Sequence, residues 1–241
     1  MVFWLFPEQI SALNKGKFIE NGQTGLRQIV GEVISVFLDA NPITEEIQMK
    51  VLIVYAHPNP KSFNHAILES FTEGLTNAGH TYEIVDLYAI NFNPILSGAD
   101  FAMLMEGKTP EDIAVQQGKV SQADAIVFIH PVWWVAAPAI LKGWVDRVFS
   151  MGFAYTSDGE GPPVGLLKHK KALTINTLGA TKEDAKMSGI TEVLQKAEDD
   201  YVFRFCGIND VQHVFFYNVM NADESILKGF LDESKNLGEG F

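Results

Sequence analysis

The chain has 241 residues, 47% of them hydrophobic, and a net charge of −12, which suits one domain with or without an extension and disfavours a nucleic-acid partner, because acidic surfaces repel phosphate backbones. A single cysteine, Cys206, excludes an intrachain disulfide and suits a reducing, cytoplasmic compartment, and its apolar setting predicts a buried, inert thiol. No apolar run approaches the roughly 20 residues of a membrane-spanning helix, so no membrane insertion is expected.

Residues 1–48 differ in pattern from the rest of the chain. Apolar side chains recur at helical spacing over residues 26–40, and Asn41-Pro42 ends that pattern. We therefore predict a helical N-terminal extension of unknown function over residues 1–48, with an upstream translated leader as the alternative. Residues 49–241, beginning at Met49, are predicted to form a self-sufficient domain.

From Lys50 onward, five apolar strands alternate with five helices. The strands are predicted at residues 51–56, 81–87, 124–129, 171–177 and 211–218, and the helices at 62–78, 110–123, 138–149, 182–205 and 223–237. A long loop carrying NFNPILSGADF is predicted before the second helix. This alternation predicts the α/β class, with a doubly wound, five-stranded parallel sheet in the flavodoxin-like order 2-1-3-4-5.

In that order, strands 1, 3 and 4 lie together, so the loops after their carboxyl ends should meet over one site. The first loop is HPNPKSFN, in which Ser62 is a predicted N-cap and the free N–H groups of the following helix suit an anion. A capped helix with His57 as an ordinary turn residue explains the same loop equally well.

The second loop carries Trp133 and Trp134 directly after Pro131, which offers flat aromatic surface for a flat ligand. Packing in the core or at a dimer interface is the alternative for this pair. The third loop is a polar turn, NTLGA from Asn176, whose backbone N–H groups suit a ligand carbonyl or ring nitrogen, unless it is an ordinary strand-to-helix turn.

Several common sites lack support. The chain has neither a GxGxxG nor a GxxxxGK[ST] pattern after its first strand, no Ser–His–Asp arrangement, and no cluster with metal-ligand spacing, so no metal is predicted. The first loop offers a phosphate-binding helix N-terminus, the second an aromatic surface and the third a polar turn. Together these three features favour a flat cofactor with a phosphate tail. A flavin nucleotide fits this description best.

The chain from about Met49 to Phe241 resembles the flavodoxin-like NAD(P)H:quinone oxidoreductases. The motifs that carry the resemblance are AHPNPKSFNHAI, DLYAINFNPILS and HPVWWVAAPAILKGWVDRVFSMGFAYT. The resemblance implies a homodimer with two active sites at the subunit interface, holding FAD, with FMN as the alternative. It also implies a two-electron ping-pong reaction that takes hydride from NAD(P)H to a quinone or similar small acceptor.

The resemblance also implies roles for individual residues. Those that would hold the phosphates and tail of the flavin are His57, Ser62, Phe63, Asn64 and Ala66. Those along its ring are Pro131, Val132, Trp133, Trp134 and Val135, and those at its pyrimidine edge are Asn176, Thr177, Leu178 and Gly179. Catalytic roles fall to Trp134 beside the ring, to the backbone N–H groups of Leu178 and Gly179, which would stabilise negative charge, and to Tyr155, which would reach the partner's substrate pocket beside an aromatic Phe205.

The chain departs from the family pattern at one functional feature. Where the mammalian enzyme has a Tyr and a His that act as a charge relay, this chain has Asp184 and Thr191, and Leu178 replaces a glycine. The relay is therefore not implied here. Three alternatives stay open: a flavodoxin-type electron carrier, a regulatory subunit in peripheral contact with a potassium-efflux transporter, and a general azo or nitro reductase. The sequence selects neither the physiological acceptor nor NADH over NADPH.

Overall fold

The computed structural model describes residues 48–241, and the helical extension predicted over residues 1–48 lies outside them but for Gln48. The seven strands of this part are β1 (Lys50–Tyr55), β2 (Thr81–Asp86), β3 (Ala125–Pro131), β4 (Tyr155–Thr156), β5 (Val164–Gly165), β6 (Lys171–Thr177) and β7 (Val211–Phe216). Five of them form one parallel sheet in the order β2-β1-β3-β6-β7. These five are the predicted strands, so the predicted order 2-1-3-4-5 is confirmed.

The helices of the described residues are α1 (Phe63–Asn77), α2 (Gly98–Met105), α3 (Glu111–Gln122), α4 (Ala139–Val148), α5 (Lys182–Ser188), α6 (Ile190–Gln195), a π-helix (Lys196–Arg204) and α7 (Glu224–Glu239). The single helix predicted over residues 182–205 is wrong. Gly189, with a φ of +70°, ends α5 in a left-handed conformation, and α6 then continues into the wider π-helix.

Two further elements were not predicted. Helix α2 lies in the segment predicted as a long loop, and Ser97 and Asp100 begin it with reciprocal side-chain to backbone hydrogen bonds. Strands β4 and β5 form an antiparallel hairpin of two residues each, separate from the main sheet. Both elements lie outside the alternation that defines the sheet, so they leave its order unchanged.

Helices cover both faces of the sheet. On one face, α1 and α7 pack closely because Gly74 and Gly238 lie at their crossing, where a Cβ on either would overlap backbone of the opposite helix. On the other face lie α3, α4 and the π-helix. The C-terminal turn of α4 is anchored by Arg147, whose buried guanidinium lies 3.1 Å from Asp100 Oδ1 and 2.6 Å from Asp112 Oδ2.

The remaining expectations for the fold concern the thiol and the membrane. Cys206 is buried against the α3–α4 side of the sheet, as predicted, and burial raises the pKa of its thiol to about 12. Between residues 48 and 241, no helix combines the length and the apolar character that crossing a membrane requires.

Candidate functional site

Three loops follow the carboxyl ends of β1, β3 and β6, which are neighbours in the sheet. The loop after β3 is joined to β6 by a bond in which Val132 N donates to the Thr177 carbonyl oxygen at 2.9 Å. The first turn of α1 reaches the same residue, because Asn64 Nδ2 donates to Thr177 Oγ1 at 2.8 Å. The structure thus brings the three loops together at the carboxyl ends of these strands, as the strand order predicted, and we call the surface that they share the crevice.

The first loop ends where α1 begins. Ser62 is the N-cap, and its hydroxyl accepts from His65 N at 3.2 Å while lying 3.3 Å from Tyr55 Oη. The hydroxyl is therefore occupied with the helix itself. The N–H groups that an α-helix leaves without an intrahelical acceptor are those of its first turn, here on Phe63 and Asn64, and they are the donors available to an anion.

Two other predicted residues of this loop have local roles. His57 Nδ1 accepts from Asn59 N at 3.0 Å, and its ring lies beside Trp133, with ring centroids 6.2 Å apart. Ala66 N donates to the Ser62 carbonyl at 3.3 Å, so its N–H is used within the helix. His57 lies at the edge of the crevice, whereas Ala66 has only a methyl group to offer.

The second loop is a strained turn. Trp133 and Ala136 exchange two backbone hydrogen bonds of 3.0 and 3.1 Å, which close a turn around Trp134 and Val135 at φ values of +53° and +55°. A bulky or β-branched residue in this region costs about 1–3 kcal/mol. Trp134 is nevertheless 100% exposed, so its indole gains no burial in return. Strain of this kind concentrates where ligands bind, and it is the sharpest sign of a ligand at this crevice.

The third loop corrects two expectations. Leu178 N donates to the Phe216 carbonyl at 2.8 Å, so this N–H cannot stabilise charge on a ligand. Asn176 is fully buried, and its amide lies between two buried histidines rather than in the crevice. Gly179 is exposed, and its N–H has no hydrogen-bond partner among residues 48–241. Of the two predicted backbone donors, only Gly179 is therefore available.

Tyr155 and Phe205 lie away from the three loops. Their rings meet edge to face with centroids 5.0 Å apart, and both line a cavity of about 380 Å³ bounded by α2, α3, α4 and the π-helix. None of the residues predicted in the three loops lines this cavity. The crevice and the cavity are therefore distinct features of the described chain.

A group of buried polar side chains lies beneath the loops after β3 and β6, and Asn176 is the one member that the sequence analysis named, for a different role. We call it the buried array, and it consists of His130, Asn176, Glu198, Asp199 and His213. Alternation along β3, β6 and β7 puts one member from each strand on the face that the π-helix covers, and the π-helix supplies both carboxylates. Polar residues at inward positions of otherwise apolar strands were the available signal.

Electrostatics inside the buried array favour an ion pair. Burial opposes the charged form of His130, but Glu198, whose Oε2 lies 3.3 Å from His130 Nε2, outweighs burial and raises the pKa of His130. Burial also opposes ionisation of Glu198, yet the charge of His130 lowers the pKa of Glu198.

Among residues 48–241 no group of three or more His, Cys, Asp or Glu side chains could hold a metal ion.

Comparison with known proteins gives consistent matches. A family model described as a flavodoxin-like fold matches residues 49–237. An uncharacterized NAD(P)H oxidoreductase of Haemophilus influenzae is 37% identical over 185 residues, covering 76% of this chain and 91% of that protein. The NAD(P)H dehydrogenase [quinone] 1 of Rattus norvegicus is 32% identical over 193 residues, which cover 70% of this chain and 69% of that protein.

Among solved structures, the NAD(P)H:quinone oxidoreductase from Methanothermobacter marburgensis superimposes with a TM-score of 0.74 at 34% identity. The match covers 80% of this chain and 98% of that one. Sequence and structure therefore point to the same group of proteins, over the part of the chain that carries the three loops.

Proposed function

The chain belongs to the family of flavodoxin-like fold whose model matches residues 49–237, and from this premise we propose that it is an NAD(P)H:quinone oxidoreductase working through a bound flavin. The names of its relatives give the reaction class. The observation that carries the proposal within this chain is the strained turn that holds Trp134 fully exposed beside two converging loops.

The residues of the crevice fit a flavin in three ways. Trp134 offers an aromatic face to a flat ring system. The first turn of α1 offers N–H groups to a phosphate. Asn64 Oδ1 is buried and has no hydrogen-bond partner among the described residues, so it is an acceptor suited to an O–H or N–H of a ligand.

When bound, a flavin supplies two-electron hydride chemistry between NAD(P)H and a quinone. The chain's own part is to bind and orient. Asn64 ties α1 to Thr177, which keeps the phosphate-binding turn and the loop after β6 in register. Gly179 N–H is the donor we propose for negative charge at that loop, in the manner of an oxyanion hole.

We further propose FAD rather than FMN, on the SFNHA motif at Ser62, and a homodimer. The dimer is supported by the separation of Tyr155 and Phe205 from the crevice of their own chain. In this arrangement Tyr155 of one subunit reaches the substrate pocket at the crevice of the other subunit. We also propose residues 49–241 as the catalytic domain and a cytoplasmic location, which the single, buried thiol of Cys206 suits.

The proposal is tested by releasing the flavin from the pure protein, identifying it by mass, and measuring initial rates with NAD(P)H and a benzoquinone. We expect FAD, and parallel double-reciprocal lines because donor and acceptor occupy one pocket in turn. A colourless protein that neither FAD nor FMN reconstitutes contradicts the cofactor. Intersecting lines contradict the shared pocket, and activity only in the presence of a transporter favours the regulatory-subunit alternative.

A further inference from the structure

The two histidines of the buried array each place Nδ1 against an acceptor. His130 Nδ1 lies 3.0 Å from the Pro131 carbonyl oxygen, and His213 Nδ1 lies 2.9 Å from Asp199 Oδ1. A carbonyl and a carboxylate accept hydrogen bonds and cannot donate them. Both Nδ1 atoms therefore carry a hydrogen, and the charge of each ring depends on its Nε2 alone.

Both Nε2 atoms meet the same side-chain amide. Asn176 Nδ2 lies 3.0 Å from His130 Nε2, and Asn176 Oδ1 lies 2.9 Å from His213 Nε2. A carboxamide presents a donor on one side and an acceptor on the other. One Nε2 must then be bare and the other protonated, so one ring is a neutral Nδ1–H tautomer and the other an imidazolium.

The orientation of the amide decides which ring carries the charge. Nitrogen and oxygen of an asparagine amide can exchange places by a half turn without loss of fit. In one orientation the cation is His213 beside Asp199; in the other it is His130 beside Glu198. Glu198 favours the second, because in the first its Oε2 would face the lone pair of His130 Nε2 at 3.3 Å. Both orientations hold the same number of protons.

We propose that Asn176 is a positioning residue that holds the buried array at one shared proton, and thereby keeps the charge beneath the loop after β3 constant as the pH changes. If a second proton bound, a histidine Nε2–H would face the amide NH₂ of Asn176. If the one proton were lost, the lone pair of a histidine Nε2 would face the amide oxygen. Either state leaves a buried polar group unpaired, which is unfavourable. The cation on His130 also binds the carbonyl of Pro131, at the start of the loop that carries Trp134.

Among residues 48–241, the titratable groups that contact the two rings are Glu198 and Asp199, both members of the buried array. Glu198 Oε1 and Thr174 Oγ1 are buried and have no hydrogen-bond partner among residues 48–241. Thr174 lies two residues before Asn176 on β6, on the same face of the strand. Thr174→Val is therefore a matched control: it alters the same buried layer without removing any hydrogen bond that the two rings make.

The test is a nitrogen-15 NMR titration of the histidine rings in the full chain as purified, from about pH 5 to about pH 8, where a free histidine changes charge. We expect one imidazolium and one neutral Nδ1–H tautomer throughout this range, in the wild type and in Thr174→Val. Asn176→Asp offers two acceptors, and we expect both rings to become cationic. Two neutral rings, two cationic rings or a titration step in the wild type would overturn the proposal.

A second variant covers the case in which Asn176→Asp does not fold. Asn176→Leu removes the amide, and we expect the two rings to titrate independently of each other. If neither variant folds, the wild-type spectrum still decides, because the one-proton state is read from it directly. If Asn176→Leu folds and its two histidine rings keep the same protonation states as in the wild type, the amide does not hold the proton.

The consequence for the reaction rests on the proposed function. With a flavin bound, a plot of the flavin midpoint potential against pH should show no inflection from these histidines in the wild type or in Thr174→Val. The same plot for Asn176→Leu should show one. A protein that binds no flavin fails the proposed function and leaves the NMR result standing. If the wild type binds flavin and its midpoint potential shows such an inflection with pH, the proposed function stands and the role of Asn176 is contradicted.

Discussion

Asn64 and Thr177 are joined by a buried hydrogen bond of 2.8 Å although 113 positions separate them in the chain. The bond ties the first turn of α1 to the end of β6, and it leaves Asn64 Oδ1 as a buried acceptor beside the crevice. One side chain therefore connects two of the three loops and keeps a free polar atom for a ligand.

Replacing Thr177 by valine should remove the acceptor of this bond and leave Asn64 Nδ2 buried without a partner. We expect the free energy of unfolding of the cofactor-free protein to fall by about 1–3 kcal/mol. Denaturant titration measures the change. Thr174→Val is the matched control, because that hydroxyl is buried with no partner in the described chain, and equal losses in the two variants would contradict the role of the bond.

Val135 has a β-branched side chain at a φ of +55° and is 42% exposed. Asparagine tolerates the left-handed region far better, so Val135→Asn should raise the free energy of unfolding of the cofactor-free protein by about 1 kcal/mol. Val164→Asn, at an exposed position without a left-handed backbone, serves as the control. A Val135 variant no more stable than the Val164 variant would show that the turn is not strained.

Trp134 is the residue we expect to stack on the cofactor. Trp134→Ala should lose stacking worth roughly 1 kcal/mol or more, which weakens flavin binding by at least about fivefold. Trp134→Phe keeps an aromatic ring and should retain part of the affinity. Titration of flavin into the cofactor-free variants measures both, and wild-type affinity in Trp134→Ala would place the cofactor elsewhere.

The ion pair of His130 and Glu198 predicts a pH dependence of stability. The pKa of His130 is raised, so its contribution is complete below pH 6.5 and is lost as the pH rises through the folded-state pKa. The pKa of Glu198 is lowered, so its contribution is complete above pH 4.5 and is lost as the pH falls through the folded-state pKa. The pair therefore stabilises the fold most between about pH 4.5 and 6.5.

Glu198→Gln tests this window, because it removes the charge that stabilises the cation on His130. We expect a loss of roughly 3–5 kcal/mol within the window that becomes smaller on both sides of it. Unfolding measured across the pH range gives the profile, with Glu233→Gln on the exposed face of α7 as the control. A loss that is independent of pH would mean that Glu198 acts through packing alone.

A chain that starts at Met49 should keep its flavin and its rate per active site. Every loop of the candidate site lies beyond that residue, and the family model also begins there. Flavin content and steady-state rate of the shortened and the full chain give the comparison. A shortened protein that folds and dimerises but loses flavin would place part of the site in residues 1–48.

Local pattern was sufficient for the sheet. The central strands β1, β3 and β6 were found because burial on both faces makes them nearly continuous hydrophobic runs. The edge strands β2 and β7 are only partly buried, and they were found from their place in the alternation of strands and helices, for which the flavodoxin-like order is the common one with five strands. Helix α2 was missed because it has only eight residues, too few for a helical period to stand out, and none of them is buried in the core. Strands β4 and β5 are too short for any period. The π-helix was missed because its turn departs from the period on which the prediction rests.

The sequence by itself determined which loops meet, since strand order puts their starting points side by side. Only the tertiary structure decided which atoms remain free in the crevice. The N–H of Leu178 is taken by β7, while that of Gly179 is available, and the amide of Asn176 turns inward to two histidines instead of outward to a ligand. These outcomes depend on partners distant in sequence, because a hydrogen bond between strands or to a packed helix leaves no periodic trace in either segment.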